Sequence, residues 1–330
     1  MSASAVPKPE RVNQVWLEEA MDSHEKFLRG IPGGKRLSVS FKDARHLDFS
    51  GRNLATADMV AAELSHAVFE GACLARSNLF GANLESAQMR ECDLTRADLR
   101  GVTLNGANLE CANLHEADIR NGFILFRDKN GNLIPMRDGA AEISDVNLSG
   151  ADLSGAKLGR VIGPRTNLSN ANFKNAKLVA ANLADSDVRG AIFTGADLTD
   201  ADMSGCVFQG ANLSGAILYN TNLDGADLTA AHFLSDDLKY AHTTNLRLPR
   251  SLASLDKTIS GDHRRPYPVD RQPGAKRSPG GPLPHRPPAC GPIRRGPAGR
   301  GAFARQSVVF QAPRRAFRDG KFRQRVGHRR

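Results

Sequence analysis

Every fifth residue of this chain is apolar over most of its length. The series runs Phe49, Leu54, Met59, Leu64, Phe69 and on to Ile119, then Ile143, Leu148, Leu153 and on to Leu238. Two positions before almost every centre sits a small residue, as in Ala57, Ala62 and Ala67 or Ala171, Ala176 and Ala181. Neither a helical period of 3.6 nor a strand period of 2.0 produces such a series, so it is an internal repeat. Of 35 centres, 34 are Leu, Ile, Val, Met or Phe; Gly163 is the exception. Of the 35 positions two before them, 32 are small or Val, and Leu47, Arg52 and Asp236 depart.

These residues resemble the pentapeptide-repeat family, whose consensus is A(D/N)LXX; GADLTDADM and GANLSGAIL show the unit plainly. The resemblance covers about 60% of the chain and implies an all-β fold, a right-handed quadrilateral β-helix with four units per coil of 20 residues. A unit that bends by a quarter turn puts its central Leu and preceding Ala inward, and stacked coils then pair by strand-like hydrogen bonds at ~4.8 Å. Thirty-five units give about nine coils, a rod on the order of 40 Å long. Residues 20 apart should stack, giving ladders such as Phe49–Phe69 and Phe173–Phe193–Leu213–Phe233. Cys92 and Cys206 fall on the small inward position and read as core thiols rather than ligands or nucleophiles.

In chain order, residues 1–43 form an N-terminal segment. Residues 10–29 are predicted as an amphipathic helix with Val12, Val15, Trp16, Ala20, Phe27 and Leu28 on one side, ended by Gly30, Pro32, Gly33 and Gly34. Its expected role is to cap the open end of the coil, which exposes core and unpaired backbone. The first repeat block spans 44–121 and the second 142–238. Between them, 122–141 reads as a hairpin-like insertion around Asn130-Gly131, with Pro135 suited only to an edge. The 24-residue step from Ile119 to Ile143 resets the fivefold phase. At the Gly163-Pro164 flaw, Ile162 is the expected source of the missing volume. Residues 239–260 should close the far end, with PRSLASLDK as a short capping helix. Residues 261–330 are rich in Pro, Gly and Arg and are expected to be disordered.

The net charge of +10 divides unevenly: residues 251–330 hold 19 Lys/Arg against 4 Asp/Glu, and the other 250 hold 26 against 31. The chain is a mildly acidic body with a strongly basic tail. It has no apolar leader at its N-terminus, no run long enough to span a membrane, and no CxxC pair, which together point to a cytoplasmic protein with reduced thiols. GIPGGKR lacks the spacing and the hydroxyl of a phosphate loop. His46, His66, His115, His232 and His242 are dispersed, no catalytic or metal constellation emerges, and no cofactor is expected.

What remains is surface. Residues 180–237 contain nine Asp and one basic residue, Arg189. Three coils span about 14 Å, over which duplex DNA carries about eight charges. The acidic total is comparable, but it is spread over three faces of the expected rod. Asp197, Asp200, Asp202, Asp224 and Asp227, with Phe80 and Tyr219 as small apolar anchors, form the candidate interaction surface. The primary reading is a non-enzymatic, rigid protein-interaction scaffold with an unknown protein partner. Some members of the family imitate DNA and bind type II topoisomerases such as gyrase, inhibiting them or protecting them from quinolones, which is the alternative reading. The tail has three readings: a nucleic-acid-binding arm in which Arg works with Phe303, Phe310, Phe317 and Phe322, an unstructured extension without a specific partner, or the product of a shifted reading frame in GC-rich coding DNA.

Overall fold

The computed structural model describes residues 9–123, 125–127, 133–135 and 139–249. PRSLASLDK from Arg250 onward and the basic tail lie outside the described residues.

The backbone coils with a 20-residue period. Parallel bridges join Asp58 to Asn78, Asn78 to Asp98 and Asp98 to Asp118, and four such columns run along the coil, five residues apart. Within one unit the central residue donates its N–H to the next coil, as Leu54 does to the Cys73 carbonyl at 2.7 Å. The residue two further on does the same, Thr56 to Ala75 at 2.9 Å. The third closes a tight turn, Ala57 to Leu54 at 3.0 Å, and the fourth reaches the preceding coil, Asp58 to Leu37 at 3.0 Å. Only the N–H just after the centre is left without a backbone acceptor. The Asn or Asp just before the centre takes it: Ala55 donates to Asn53 Oδ1, Glu85 to Asn83 Oδ1 and Thr95 to Asp93 Oδ1. The acidic or amide position of the repeat is therefore first a backbone acceptor.

Each quarter turn also needs one residue at positive φ, two after the centre. Gly51, Gly71 and Gly81 supply it, but so do Thr56, Ala61 and His66. A non-glycine residue there costs of order 1 kcal/mol, which the ladder on both sides must offset.

The core is a continuous column of the apolar centres, flanked by the small residues. Phe49 stacks on Phe69 with ring centroids 4.4 Å apart, and Phe173 on Phe193 at 4.9 Å. Leu213 continues the second ladder fully buried, whereas Phe233 is only partly buried. Cys92 and Cys206 are fully buried, each donating its thiol to a carbonyl of the preceding coil, Phe69 and Leu183 respectively. Burial pushes the Cys206 thiol up to about 12.

The coil begins earlier than the repeat pattern. Leu37 and Val39 are buried, and Ser38 already bridges Asp58. Before it, strand β1 (Glu10–Arg11) pairs in parallel with β2 (Lys42–Asp43), adding one partial rung. Helix α1 (Gln14–Leu28) follows, capped by the Asn13 side chain on the Trp16 N–H at 2.9 Å. The expected helix start at residue 10 and its expected apolar side are both corrected. Leu17, Met21 and His24 face the coil, while Val15 is 67% and Phe27 42% exposed. The physical reason lies in what the helix covers. The coil edge beneath it carries unpaired backbone groups, so the inward face must be partly polar. Gln14 accepts from the Asp48 N–H at 3.0 Å and donates to the Asp48 carbonyl at 2.9 Å, imitating a strand residue. Arg52 of the first coil pairs with Asp22 and Glu25 of α1. The exit turn folds back so closely that a Cβ at Gly34 would sit 2.3 Å from the Phe27 backbone nitrogen.

The insertion shifts the sequence phase but leaves the spatial register intact. Thr103 bridges Glu142, Asn108 bridges Asn147, Asn113 bridges Asp152 and Asp118 bridges Lys157, so all four columns continue across it. Its base is closed by Gly122 donating to the Gly139 carbonyl at 2.8 Å. Strands β3 (Leu125–Arg127) and β4 (Leu133–Pro135) pair antiparallel within it.

At Gly163 the expectation is overturned: Ile162 points outward and is 42% exposed. The space belongs to Ile143 of the preceding coil, whose Cγ1 would lie 2.3 Å from a Cβ at 163. Beside it Thr166 is fully buried and donates its hydroxyl to the carbonyls of Ile143 and Gly163. The Asp236 departure falls in a 3-10 turn, Ser235–Leu238, after which the ladder resumes with Asn222–His242 and Asp227–Arg247.

Candidate interaction surface

The outward positions of a unit lie just before and just after the buried centre, so side chains two apart stand beside each other on one face. Where Asp precedes the centre and Arg follows it, the two close on each other. Arg45 forms paired bonds with Asp43 at 2.8 and 2.7 Å, Arg100 with Asp98 at 2.8 and 2.6 Å, and Arg120 with Asp118 at 2.9 and 2.7 Å. Arg189 does the same with Asp187. The guanidinium holds the Asp43 and Asp187 carboxyls below the usual carboxylate range. Other Arg side chains pair between coils, as Arg165 does with Asp145. In the first block such pairing neutralises Asp98 and Asp118 locally, while Asp48 and Asp93 accept from Ser50 and Thr95 instead.

In the later coils Ser or Thr replaces Arg in this arrangement. Asp197 accepts from the Thr199 N–H and hydroxyl, and Asp202 from the Ser204 N–H and hydroxyl and from Asn222. Asp227 accepts from the Thr229 N–H and from Gln209, and the Thr229 backbone bond leads in holding its carboxyl below the usual range. Asp200 accepts from Asn220, and Asp224 from the Thr244 N–H. All five candidate Asp residues therefore have a structural bond, yet no ion pair among the described residues neutralises any of them. Hydrogen bonds from hydroxyl and amide groups leave these carboxylates charged, with Arg247 the neighbouring cation of Asp227 and Lys177 that of Asp197 in their columns.

The structure does not bring the five onto one face. Asp197 belongs to the column of Lys157, Lys177 and Ile217; Asp202 to that of Ile162, Asn182 and Asn222; Asp227 to that of Asp187 and Val207. Asp200 stands at the corner between the first two columns and Asp224 just after the second. They form a band around three sides, while the fourth column carries Ile192, Asn212 and His232.

The two apolar anchors need correction. Phe80 is half-buried under the Arg100 guanidinium at 5.0 Å, beside Gly122 at the base of the insertion. Tyr219 is half-buried against Tyr240, ring centroids 6.0 Å apart. The most exposed apolar side chains of the coil and the insertion's base are Phe41, Phe123 and Leu234, while Ile217 and Tyr240 beside Tyr219 are also exposed. The 20-residue stacking rule could have placed Arg100 over Phe80, but Tyr240 stands 21 residues from Tyr219, after the 3-10 turn, and that pairing is not given by the repeat.

Among the described residues no group of three or more His, Cys, Asp or Glu side chains could hold a metal ion. His46 and His66 stack in parallel at 5.0 Å on a corner, and His115 bonds Ser154 at 2.9 Å. The concavities are shallow: one lies between α1 and the first coil, lined by Trp16, Ser23, Lys35 and Leu37, and another lies at Glu70 and Arg90. No helix among the described residues is long and apolar enough to cross a membrane.

The family profile described as pentapeptide repeats matches in eight copies, over residues 45–81, 87–121, 141–179, 165–195 and 196–234. Direct comparison with curated proteins finds no match. Among solved structures, a trypsin-treated variant of QnrB1, a plasmid-mediated fluoroquinolone resistance protein, is 19% identical, with 66% of this chain and 96% of that chain covered and a TM-score of 0.49. HetL from Nostoc sp. strain PCC 7120, involved in heterocyst differentiation regulation, is 25% identical over 68% and 93%, with a TM-score of 0.32. A thylakoid-lumen protein of Arabidopsis thaliana is 37% identical over 34% and 74%, with a TM-score of 0.20.

Proposed function

Because the chain belongs to the pentapeptide-repeat family, we propose that it is a non-enzymatic scaffold: a right-handed quadrilateral β-helix that offers its sides to a protein partner. The observation that carries the reading is the band of un-neutralised Asp residues on the later coils, set on a backbone whose hydrogen bonds are almost wholly committed to the ladder. Such a backbone resists deformation, so binding would not have to order it.

Asn keeps the backbone-accepting oxygen of Asp and removes only its charge. The variant carrying Asp197→Asn, Asp200→Asn, Asp202→Asn, Asp224→Asn and Asp227→Asn should therefore melt like the parent. It should also lose, in cross-linking on extracts of the native host, a partner that the parent captures. Equal capture by both proteins would remove these residues from the interface.

The second reading is a DNA-like surface that occupies the DNA groove of a type II topoisomerase. The same unpaired carboxylates favour it, and their distribution over three sides weakens it, because any single side carries far less charge than duplex DNA. A gyrase supercoiling assay with the full chain separates the two. The scaffold reading expects no change in supercoiling or in quinolone sensitivity; inhibition that the five-Asn variant relieves would replace it with the second. The basic tail lies outside the described residues, and its nucleic-acid reading rests on the sequence, on its Arg residues and the four interspersed Phe residues.

A further inference from the structure

The end cap contains a group whose two hydrogen bonds exist only in one protonation state. His24 lies fully buried between α1 and the first coil. The Leu37 N–H donates to its Nδ1 at 3.0 Å, so Nδ1 must be the unprotonated nitrogen. Nε2 then carries the hydrogen and donates to the Ala55 carbonyl at 3.1 Å. Leu37 opens the first turn and Ala55 belongs to its last, and both groups sit on the coil edge that no preceding coil covers. One neutral imidazole thus joins the two ends of the first coil to the helix. A second proton on Nδ1 would turn that acceptor into a donor facing the Leu37 N–H, and would bury a positive charge.

We infer that α1 is a proton-released cap: protonation of His24 undocks the helix and exposes the edge of the first coil while the remaining ladder stays folded.

The surroundings oppose the imidazolium. Burial is the leading cause that lowers the His24 pKa from 6.5, and Arg36, from the segment entering the first coil, adds to it. Glu25 on the helix and the Ala55 carbonyl act in the other direction and are outweighed. Of the other charges at this junction, Glu19 and Lys35 line the concavity beside the helix, and three ion pairs hold others. Arg52 of the coil holds Asp22 and Glu25, Arg36 holds Asp58 at 3.0 Å, and Phe27 stacks on the imidazole at 5.9 Å. The sign follows: the docked state binds fewer protons than the undocked one. Docking is therefore strongest above pH 6.5 and weakens as pH falls through that value, by up to tenfold per pH unit until the docked pKa is reached. Carboxylates ordinarily titrate near 4, below the window from pH 6.5 to 5, and the His24→Gln variant separates His24 from the chain's other histidines.

Trp16 is the chain's single tryptophan and lies in α1, with Lys42 over its ring at 5.6 Å. Its fluorescence reports docking of the cap alone. In the full chain, the expected result is a red shift of Trp16 emission between pH 6.5 and 5 with the far-ultraviolet β signal retained. In His24→Gln, whose carboxamide offers one donor and one acceptor at any pH, the shift should vanish from this window. Superimposable curves for the two proteins would overturn the inference. Should His24→Gln not dock at pH 7.5, the parent's His24 is titrated directly by NMR: a pKa well below 6.5 with a Trp16 shift that tracks it supports the cap, and a pKa at or above 6.5 overturns it.

Discussion

At the residue scale, the repeat places backbone donors as strictly as it places side-chain volume. The apolar centre and the small residue fill the axis, and the Asn or Asp between them accepts the one N–H that the ladder leaves over, as Asn83 does for Glu85. Leu198 is such a centre, fully buried. Leu198→Asp buries an unpaired charge and should destabilise the protein by more than ~4 kcal/mol, enough to lose the cooperative melt of the later coils; a native-like melting curve would contradict the inward assignment. Gly163 gives a sharper test, because sequence and structure disagree there. By the repeat pattern, Gly163→Leu restores the missing centre and should stabilise. In the structure Ile143 fills that space, so the substitution overpacks the core and should cost about 1–3 kcal/mol by denaturant titration. Ile143→Ala in the same chain should recover part of the loss.

At the scale of elements, the cap and the insertion show what periodicity does and does not reveal. The leading helix was legible as an element from its apolar spacing and the glycines that end it, whereas its start, at the Asn13 cap, comes four residues later than that spacing implies. Its buried face was not, because an apolar moment cannot register that the helix must also satisfy an exposed strand edge through Gln14 and His24. In the sequence this shows only as a polar residue three positions from buried Leu17 or Met21, a spacing that ordinary solvent-facing helix positions share. Gln14→Ala removes both bonds to Asp48 and leaves that edge to water. It should lower cap stability by about 1–2 kcal/mol, read as faster amide exchange at Asp48 with the central coils unchanged. The insertion's sequence break suggested a reset, yet all four columns cross it. Register is set by which corner the chain leaves and rejoins, not by the number of residues spent outside.

At the scale of the whole molecule, charge is arranged by one small choice. Asp followed by Arg across a centre is neutralised on its own face; Asp followed by Ser or Thr is not, and this second pattern prevails where the candidate surface lies. The gyrase assay and the five-Asn variant belong to this scale, since both read a surface rather than a residue. The sequence by itself determined the coil, its inward positions and the structural role of most Asn and Asp residues, because a fivefold repeat fixes each residue's place relative to its immediate neighbours. Only the tertiary structure decided that Phe80 and Tyr219 are half-buried, that Ile143 occupies the space at Gly163, and that His24 joins the cap to the coil. Each of these depends on contacts between residues about 20 or more apart in sequence, or across the cap, where spacing within one unit carries no information.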